Sequence, residues 1–196
     1  MNYKSILAAV AAVAFWLAPL AGAEDGSVTG TITAKGLRSS GDIVVSLQAS
    51  GLNVTPPAKK PEMDQKGMTF IPHVLPVVKG TTVKFLNSDP YAHNVFSPEG
   101  KYNLGTWPTG QTRDHKFDKP GVYTQLCRVH PEMEAFIVVL DTPYFTVTDK
   151  TGKYTIKGVP AGKYTLVAWS EKLKEGKQAV TVENGKSVTV DLTLRK

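Results

Sequence analysis

Residues 123–139 read Tyr-Thr-Gln-Leu-Cys-Arg-Val-His-Pro-Glu-Met-Glu-Ala-Phe-Ile-Val-Val. The stretch contains the only cysteine of the 196-residue chain, Cys127, followed by His130 and then by Met133 at intervals of three residues. Runs of β-branched and aromatic residues flank these three on both sides, which is typical of strands. We therefore expect two paired strands to hold both ends of a short loop that carries a thiol, an imidazole and a thioether.

These three side chains form an incomplete set of metal ligands that lacks a second imidazole. His93, in the stretch Asn-Ser-Asp-Pro-Tyr-Ala-His-Asn-Val of residues 87–95, is the candidate for it. Two histidines and a cysteine, with a distant axial methionine, are the ligands of a blue-copper electron-transfer site. The sequence therefore predicts one copper ion bound by His93, Cys127, His130 and Met133.

The same motifs resemble those of the small cupredoxins such as amicyanin and plastocyanin. The resemblance covers residues 68–140 and includes Cys-x2-His-Pro-x-Met, Asn-Ser-Asp…His-Asn-Val and Pro-Gly-Val-Tyr. It implies a Greek-key β-sandwich or barrel with one type 1 copper ion and the four ligands given above. It also implies that Asn94 hydrogen-bonds to the loop that bears the cysteine.

Two features of the ligand loop depart from the amicyanin pattern. Arg128 and Val129 stand where a Thr-Pro pair is usual, and Glu132 stands where an apolar residue borders the exposed edge of the second histidine. These departures leave the metal ligands in place but change the partner-docking surface that the resemblance implies. The apolar residues that could still contribute to that surface are Phe96, Trp107 and Pro131.

A structural interpretation of each residue taken singly remains open. A lone cysteine is most often a small buried hydrophobic residue, and methionine commonly fills core gaps. Metal ligation would account for a free thiol in an exported protein. We interpret the other two histidines of the chain, His73 and His115, as structural residues.

Residues 1–23 have the pattern of a secretory signal peptide. Lys4 precedes an apolar run over residues 6–20, and Ala-Gly-Ala at 21–23 matches a cleavage site. The alternative is an uncleaved anchor, but the apolar run is short for a membrane span and no stop-transfer segment follows. We expect a periplasmic or extracellular mature chain without a transmembrane segment.

The mature chain is expected to be mildly basic. Of the 23 Lys and Arg residues, 22 remain once Lys4 is removed, against 17 Asp and Glu, which gives a net charge of +5. The excess is spread along the chain, so it supports at most weak steering toward an acidic partner. The sequence contains no pattern typical of nucleic-acid binding.

The C-terminal part resembles a second family, the carboxypeptidase regulatory-like (transthyretin-like) β-sandwich. Residues 145–169 show its pattern, an Asp- and Gly-containing turn followed by Tyr-x-Ile and Pro-x-Gly-x-Tyr-x-Leu. The two strands that normally precede this pattern occur far upstream, at 26–32 and 42–47. We expect a sandwich of residues 24–51 plus 142–196 into which a copper domain of residues 52–141 is inserted.

Domain size favours this arrangement. About 55 residues alone would bury little core, and insertion is tolerated because domain termini often lie close together. Two sequential domains are the alternative.

The overall pattern predicts an all-β protein, with at most one short helical piece near 104–109 or 170–174. Asn184-Gly185 predicts a hairpin turn, because this dipeptide accepts positive φ at both turn positions.

These features predict an exported one-electron carrier that cycles between Cu(II) and Cu(I). Expected partners are exported redox proteins such as a c-type cytochrome, a dehydrogenase or an oxidase. We do not expect an enzyme, because the chain has four histidines in all and two are assigned to the copper site. The alternative function is a copper-binding surface or interaction module in which copper is stored or structural.

Overall fold

The computed structural model describes residues 24–196, and the predicted signal peptide lies outside them. The prediction of an all-β protein is confirmed, since these residues form strands, turns and loops and contain no helix. No segment of residues 24–196 is a helix long and apolar enough to cross a membrane. The strands are β1 (Gly26–Ala34), β2 (Val44–Gln48), β3 (Glu62–Gln65), β4 (Phe70–Ile71), β5 (Val74–Val78), β6 (Thr81–Leu86), β7 (His93–Ser97), β8 (Tyr102–Trp107), β9 (Thr112–Phe117), β10 (Gly121–Leu126), β11 (Glu134–Leu140), β12 (Phe145–Val147), β13 (Lys153–Val159), β14 (Gly162–Trp169), β15 (Gly176–Val182), β16 (Ser187–Thr189) and β17 (Leu192–Leu194).

The strands from the two ends of the described chain form one pair of sheets. One sheet has the order β13-β1-β16, with β17 also paired to β1, and the other has the order β12-β2-β14-β15. Strand β1 is antiparallel to β13 and parallel to β16 and β17. Alternating residues of both sheets, such as Val28, Ile32, Ile156 and Leu166, fill a common core. The first two strands therefore pair only with strands that follow residue 144.

The middle of the chain forms a second pair of sheets. Their orders are β5-β11-β10-β7-β8 and β4-β3-β6-β9. The period of two that is typical of a half-buried strand is clear in β6, where Val83 and Phe85 are buried and their neighbours are half-buried. The core between these sheets also contains Cys127, Met133 and Trp107.

The predicted ligand loop connects the neighbouring ends of two paired strands. Strands β10 and β11 are antiparallel from Gly121↔Val139 to Leu126↔Glu134. Strand β7 lies on the other side of β10, with Phe96 opposite Leu126, so its first residue, His93, is brought toward the same end of the sheet.

The hairpin prediction at Asn184-Gly185 is wrong. Strands β15 and β16, on either side of this turn, belong to different sheets, and β16 pairs in parallel with β1. The backbone N–H of Gly185 donates to the carbonyl of Glu24, so the turn is bound to the start of the described chain. The sequence allowed at most one short helical piece, and none forms at either place: residues 104–107 belong to β8 and residues 170–174 form a loop.

We expect Gly152→Ala to destabilise the protein far more than Gly36→Ala does. Both glycines have positive φ, +88° and +87°, so each alanine costs about 1–2 kcal/mol of backbone strain. At position 152 the added Cβ would also lie 2.1 Å from the carbonyl oxygen of Ile32, whereas at position 36 it would meet nothing within 4 Å. Urea unfolding should show a loss of about 1–2 kcal/mol for Gly36→Ala and at least twice that for Gly152→Ala. Equal losses would contradict the close contact of this turn with β1.

Candidate metal centre

The ligand loop places two of its three predicted ligands in the protein interior. Cys127 follows the last residue of β10 and is 4% exposed, and Met133 precedes β11 and is fully buried. His130, between them, is half-buried. The backbone N–H of Met133 donates to the carbonyl of His130 at 3.0 Å and so closes the turn between these two residues.

The fourth predicted ligand, His93, reaches the loop from β7. Its side chain is fully buried, and its Nδ1 lies 2.9 Å from Nδ1 of His130. One nitrogen of each imidazole and the Sγ of Cys127 all lie within 4.8 Å of one another. Met133 packs in the same core cluster as Cys127. Two imidazoles and one thiol that converge on a single point form a donor set that fits a type 1 copper ion.

The backbone beside the thiol supplies one hydrogen bond to it. The N–H of Asn94 donates to Sγ of Cys127 at 3.4 Å, a normal length for a hydrogen bond to sulfur. The side-chain amide of Asn94 instead donates to Oδ1 of Asn103 and to the carbonyl of Gly105, both on β8. Asn94 thus contacts the cysteine through its backbone, while its side chain ties β7 to β8.

Sequence reasoning missed Asp89, which holds the buried imidazole. Its Oδ2 lies 2.8 Å from Nε2 of His93, and its carboxylate also accepts the backbone N–H groups of Gly67 (2.6 Å) and Met68 (2.9 Å). Burial opposes ionisation, but these hydrogen bonds outweigh it and lower the pKa of Asp89 below its usual 3.8. A carboxylate at Nε2 fixes the proton on that nitrogen and leaves Nδ1 free to bind a metal.

The loop that carries Asp89 is itself tied to β8. The side-chain amide of Asn87 donates to the carbonyls of Tyr91 and Trp107, and its Oδ1 accepts the N–H of Asp89. The hydroxyl of Thr109 donates to the backbone carbonyl of Asp89. The only sequence signal for this network is the Asn-x-Asp spacing ahead of His93, which is too common to identify it.

The surface around His130 differs from the predicted apolar patch. Trp107 is fully buried and cannot contribute, so this part of the prediction is wrong. The guanidinium of Arg128 lies 5.0 Å above the ring of Phe96 and so covers its face. Pro131 is exposed, as predicted. The large apolar side chains that are exposed on the segments around the centre are Met68, Tyr91 and Val129, at 44%, 60% and 50%.

The other two histidines lie outside this cluster. His115 stacks on Tyr102 with ring centroids 3.8 Å apart. Burial lowers the pKa of His115, although Asp118 acts in the opposite direction. His73 contacts the carbonyl of Glu134 and the carboxylate of Glu171.

Comparison with known proteins identifies two families in this chain. Residues 58–140 match the family of copper binding proteins, plastocyanin/azurin family, and residues 131–195 match the carboxypeptidase regulatory-like domain. One stretch of the chain is therefore similar to copper-binding proteins and an overlapping stretch is similar to the carboxypeptidase regulatory-like domain. Both resemblances predicted from the sequence are confirmed, as is copper as the cofactor.

Several solved cupredoxin structures are similar to part of the chain. A purple cupredoxin from Nitrosopumilus maritimus is 26% identical, with a TM-score of 0.38 over 41% of this chain and 100% of that one. A reduced amicyanin variant is 21% identical, with a TM-score of 0.41 over 49% of this chain and 98% of that one. A copper-containing nitrite reductase from Thermus scotoductus SA-01 is 26% identical, with a TM-score of 0.41. The match covers 48% of this chain and only 25% of the reductase. No curated protein matches the chain.

We expect Asp89→Asn to raise the reduction potential of the copper-loaded protein. Removing a buried negative charge next to His93 destabilises the more positive Cu(II) state, and the effect is large where the local dielectric constant is low. A tenfold change in the ratio of reduced to oxidised protein corresponds to about 59 mV, and we expect a shift of about this size in voltammetry.

The matched control for this variant is Asp114→Asn. Asp114 is an exposed residue of the same part of the chain, paired with Lys60 at 2.6 Å. The same change of charge there is screened by solvent and salt, so the potential should hardly move. Equal shifts in the two variants, or a lower potential in Asp89→Asn, would show that the carboxylate of Asp89 does not act on the centre.

Proposed function

We propose that this protein is an exported blue-copper carrier of single electrons. His93, Cys127, His130 and Met133 are the residues that would hold the copper ion. The observation that carries the proposal is the convergence of two imidazoles and the only thiol of the chain within 4.8 Å. When bound, copper supplies the one-electron chemistry by alternating between Cu(II) and Cu(I).

The protein contributes to this function by fixing the positions of the four ligand side chains and by exposing one of them. The ends of the ligand loop are fixed by the β10–β11 pairing, and His93 is fixed by Asp89, so little rearrangement accompanies each transfer. His130 is the only half-exposed member of the set, since His93, Cys127 and Met133 are buried. The edge of its ring is therefore the proposed port for electrons.

The proposed partner is an exported redox protein such as a c-type cytochrome, a dehydrogenase or an oxidase. Arg128 and Glu132, on either side of His130 in the sequence, are both exposed, so the docking surface carries charges of both signs next to the port. Such charges affect the rate of encounter and the choice of partner more than the final affinity. The proposed location, periplasmic or extracellular, rests on the signal-peptide pattern of residues 1–23.

We do not propose an enzyme. A copper oxidase or reductase would need a second copper centre with further histidines. Of the two that remain, His73 is hydrogen-bonded to Glu134 and Glu171, and His115 is stacked on Tyr102. Among residues 24–196, the cluster of His93, Cys127 and His130 is the only group of its kind that could hold a metal ion.

Copper storage or a structural role for copper, with the protein as an interaction module, is the second candidate. The carboxypeptidase regulatory-like match over residues 131–195 favours it, because such a part would dock the protein to a partner or to the cell envelope. Voltammetry and electron self-exchange of the copper-loaded protein separate the two functions. A reversible couple with fast self-exchange supports a carrier, and an irreversible or very slow couple supports storage.

We expect Cys127→Ser to abolish the intense blue absorption of the copper-loaded protein and Met133→Leu to retain it. The colour comes from the bond between Cu(II) and the thiolate, whereas the axial thioether chiefly adjusts the potential, which should rise in Met133→Leu. Visible absorption and voltammetry measure both effects. A blue Cys127→Ser protein would rule out the proposed ligand set.

We also propose that residues 24–51 and 142–196 form one domain into which residues 52–141 are inserted. The pairing of β1 with β13, β16 and β17, and of β2 with β12 and β14, supports this division.

We expect limited proteolysis near residues 56–60 and 141–143 to release a fragment that binds copper. The two outer fragments should remain associated, because their strands share two sheets. Size-exclusion chromatography with mass spectrometry would identify the species. Outer fragments that separate from each other would favour two sequential domains.

A further inference from the structure

His73 lies where the copper-binding part of the chain meets the sandwich. Its Nδ1 is 3.2 Å from the backbone carbonyl oxygen of Glu134, and its Nε2 is 3.2 Å from a carboxylate oxygen of Glu171. Both partners can only accept hydrogen bonds. A neutral imidazole carries one N–H, so it can serve only one of them, whereas the imidazolium donates to both. The two contacts together therefore require the charged ring.

The contact with Glu171 connects two parts of the chain that are far apart in sequence. His73 precedes β5 and packs edge-on against Phe136 of β11, at 5.6 Å between ring centroids. Phe136 packs in turn against Trp169, the last residue of β14 and two residues before Glu171, at 5.7 Å. Among residues 24–196, His73–Glu171 is the only ion pair that joins residues 52–141 to the rest of the chain.

The charges around the imidazole are mostly negative. His73 and the charged residues Glu132, Glu134, Glu171 and Lys172 line one cleft of about 470 Å³. Burial opposes ionisation of Glu171, but hydrogen bonds from Lys172 and His73 outweigh it and lower the pKa of Glu171 below its usual 4.5. Its carboxylate is therefore ionised throughout the range in which a histidine changes its charge.

We propose that His73 is a pH-sensitive latch between the copper-binding part and the sandwich. With the imidazole protonated, the ring binds Glu171 and the carbonyl of Glu134 at the same time and holds the two parts together. When the pH rises and the proton is lost, one of the two contacts is lost with it. Glu171 is ionised throughout this change, so the latch is closed while the ring is charged and opens as the ring loses its proton and with it the attraction to the carboxylate.

The position of the latch places it next to the proposed metal centre. Glu134, which accepts the hydrogen bond from Nδ1, directly follows Met133 at the end of the ligand loop. The backbone N–H of Phe136 also donates to the carbonyl of His73 at 2.9 Å. The start of β11 and the sandwich are thus bound to the same side chain. The latch rests on these contacts alone and does not depend on electron transfer.

Hydrogen exchange of the full-length, copper-loaded protein tests the latch. Protection of the backbone amides of β5 and of the end of β14, corrected for intrinsic exchange rates, is compared at about pH 5.5 and about pH 8. We expect the wild-type protein to lose about threefold in protection at the higher pH, the size of effect for a partly exposed ion pair. In Glu171→Gln and in His73→Gln the protection should hardly change with pH.

The matched control is His115→Gln, which removes a half-buried histidine of the copper-binding part. The ring of His115 packs against Tyr102 and Phe117 and not against Glu171. It should lose protection with pH as the wild-type protein does. Circular dichroism and the copper absorption show whether each variant is folded. If His73→Gln does not fold, Glu171→Gln alone tests the proposal, because it leaves His73 and the core unchanged. A wild-type protein without the loss, or a Glu171→Gln protein that keeps it, would overturn the proposal.

Discussion

The pairing of β10 with β11 is the constraint on which the rest of this structure depends. It runs without a break to Leu126↔Glu134, so the first and last residues of the ligand loop are held at the distance between neighbouring strands. The seven residues of the loop must then turn back within this span, which directs Cys127 and Met133 into the core. Strand β7 extends the same sheet and adds His93 from a distant part of the sequence. The donor atoms converge because the pairing of these strands brings the segments that carry them together.

Burying these polar groups is costly unless each finds a partner. His93 is fully buried, and the carboxylate of Asp89 provides the acceptor for its Nε2. The charge of Asp89 is compensated in turn by the N–H groups of Gly67 and Met68, since a buried carboxylate without such donors would be neutralised. The imidazole of His93 is thus held by Asp89, and Asp89 is held by the segment that contains Gly67 and Met68. These contacts fix the orientation of the imidazole and leave its Nδ1 facing His130.

The parts of the structure that were predictable from the sequence depend on local pattern. The proposed ligand set was inferred from the spacing of Cys127, His130 and Met133, with one long-range addition, His93, and the structure brings His93, Cys127 and His130 together. Asp89 was missed because its role depends on a turn more than 20 residues away in the sequence, which local pattern does not reveal. The error at Asn184-Gly185 has the same origin. The dipeptide determines the local turn, but the choice of β1 as the partner of β16 is made by the whole sandwich.

The position of β1 explains why the two outer segments of the chain depend on each other. In its sheet β1 is the central strand, with β13 on one side and β16 and β17 on the other. Without it, none of these three strands would have a partner in this sheet, and their edges would be left open. Residues 52–141 separate β1 from those partners, so pairing β1 with them closes a long loop, which costs more entropy and slows folding relative to a short one. A compact fold of the intervening residues brings the two ends of that loop closer together and so lowers the cost of closing the sandwich.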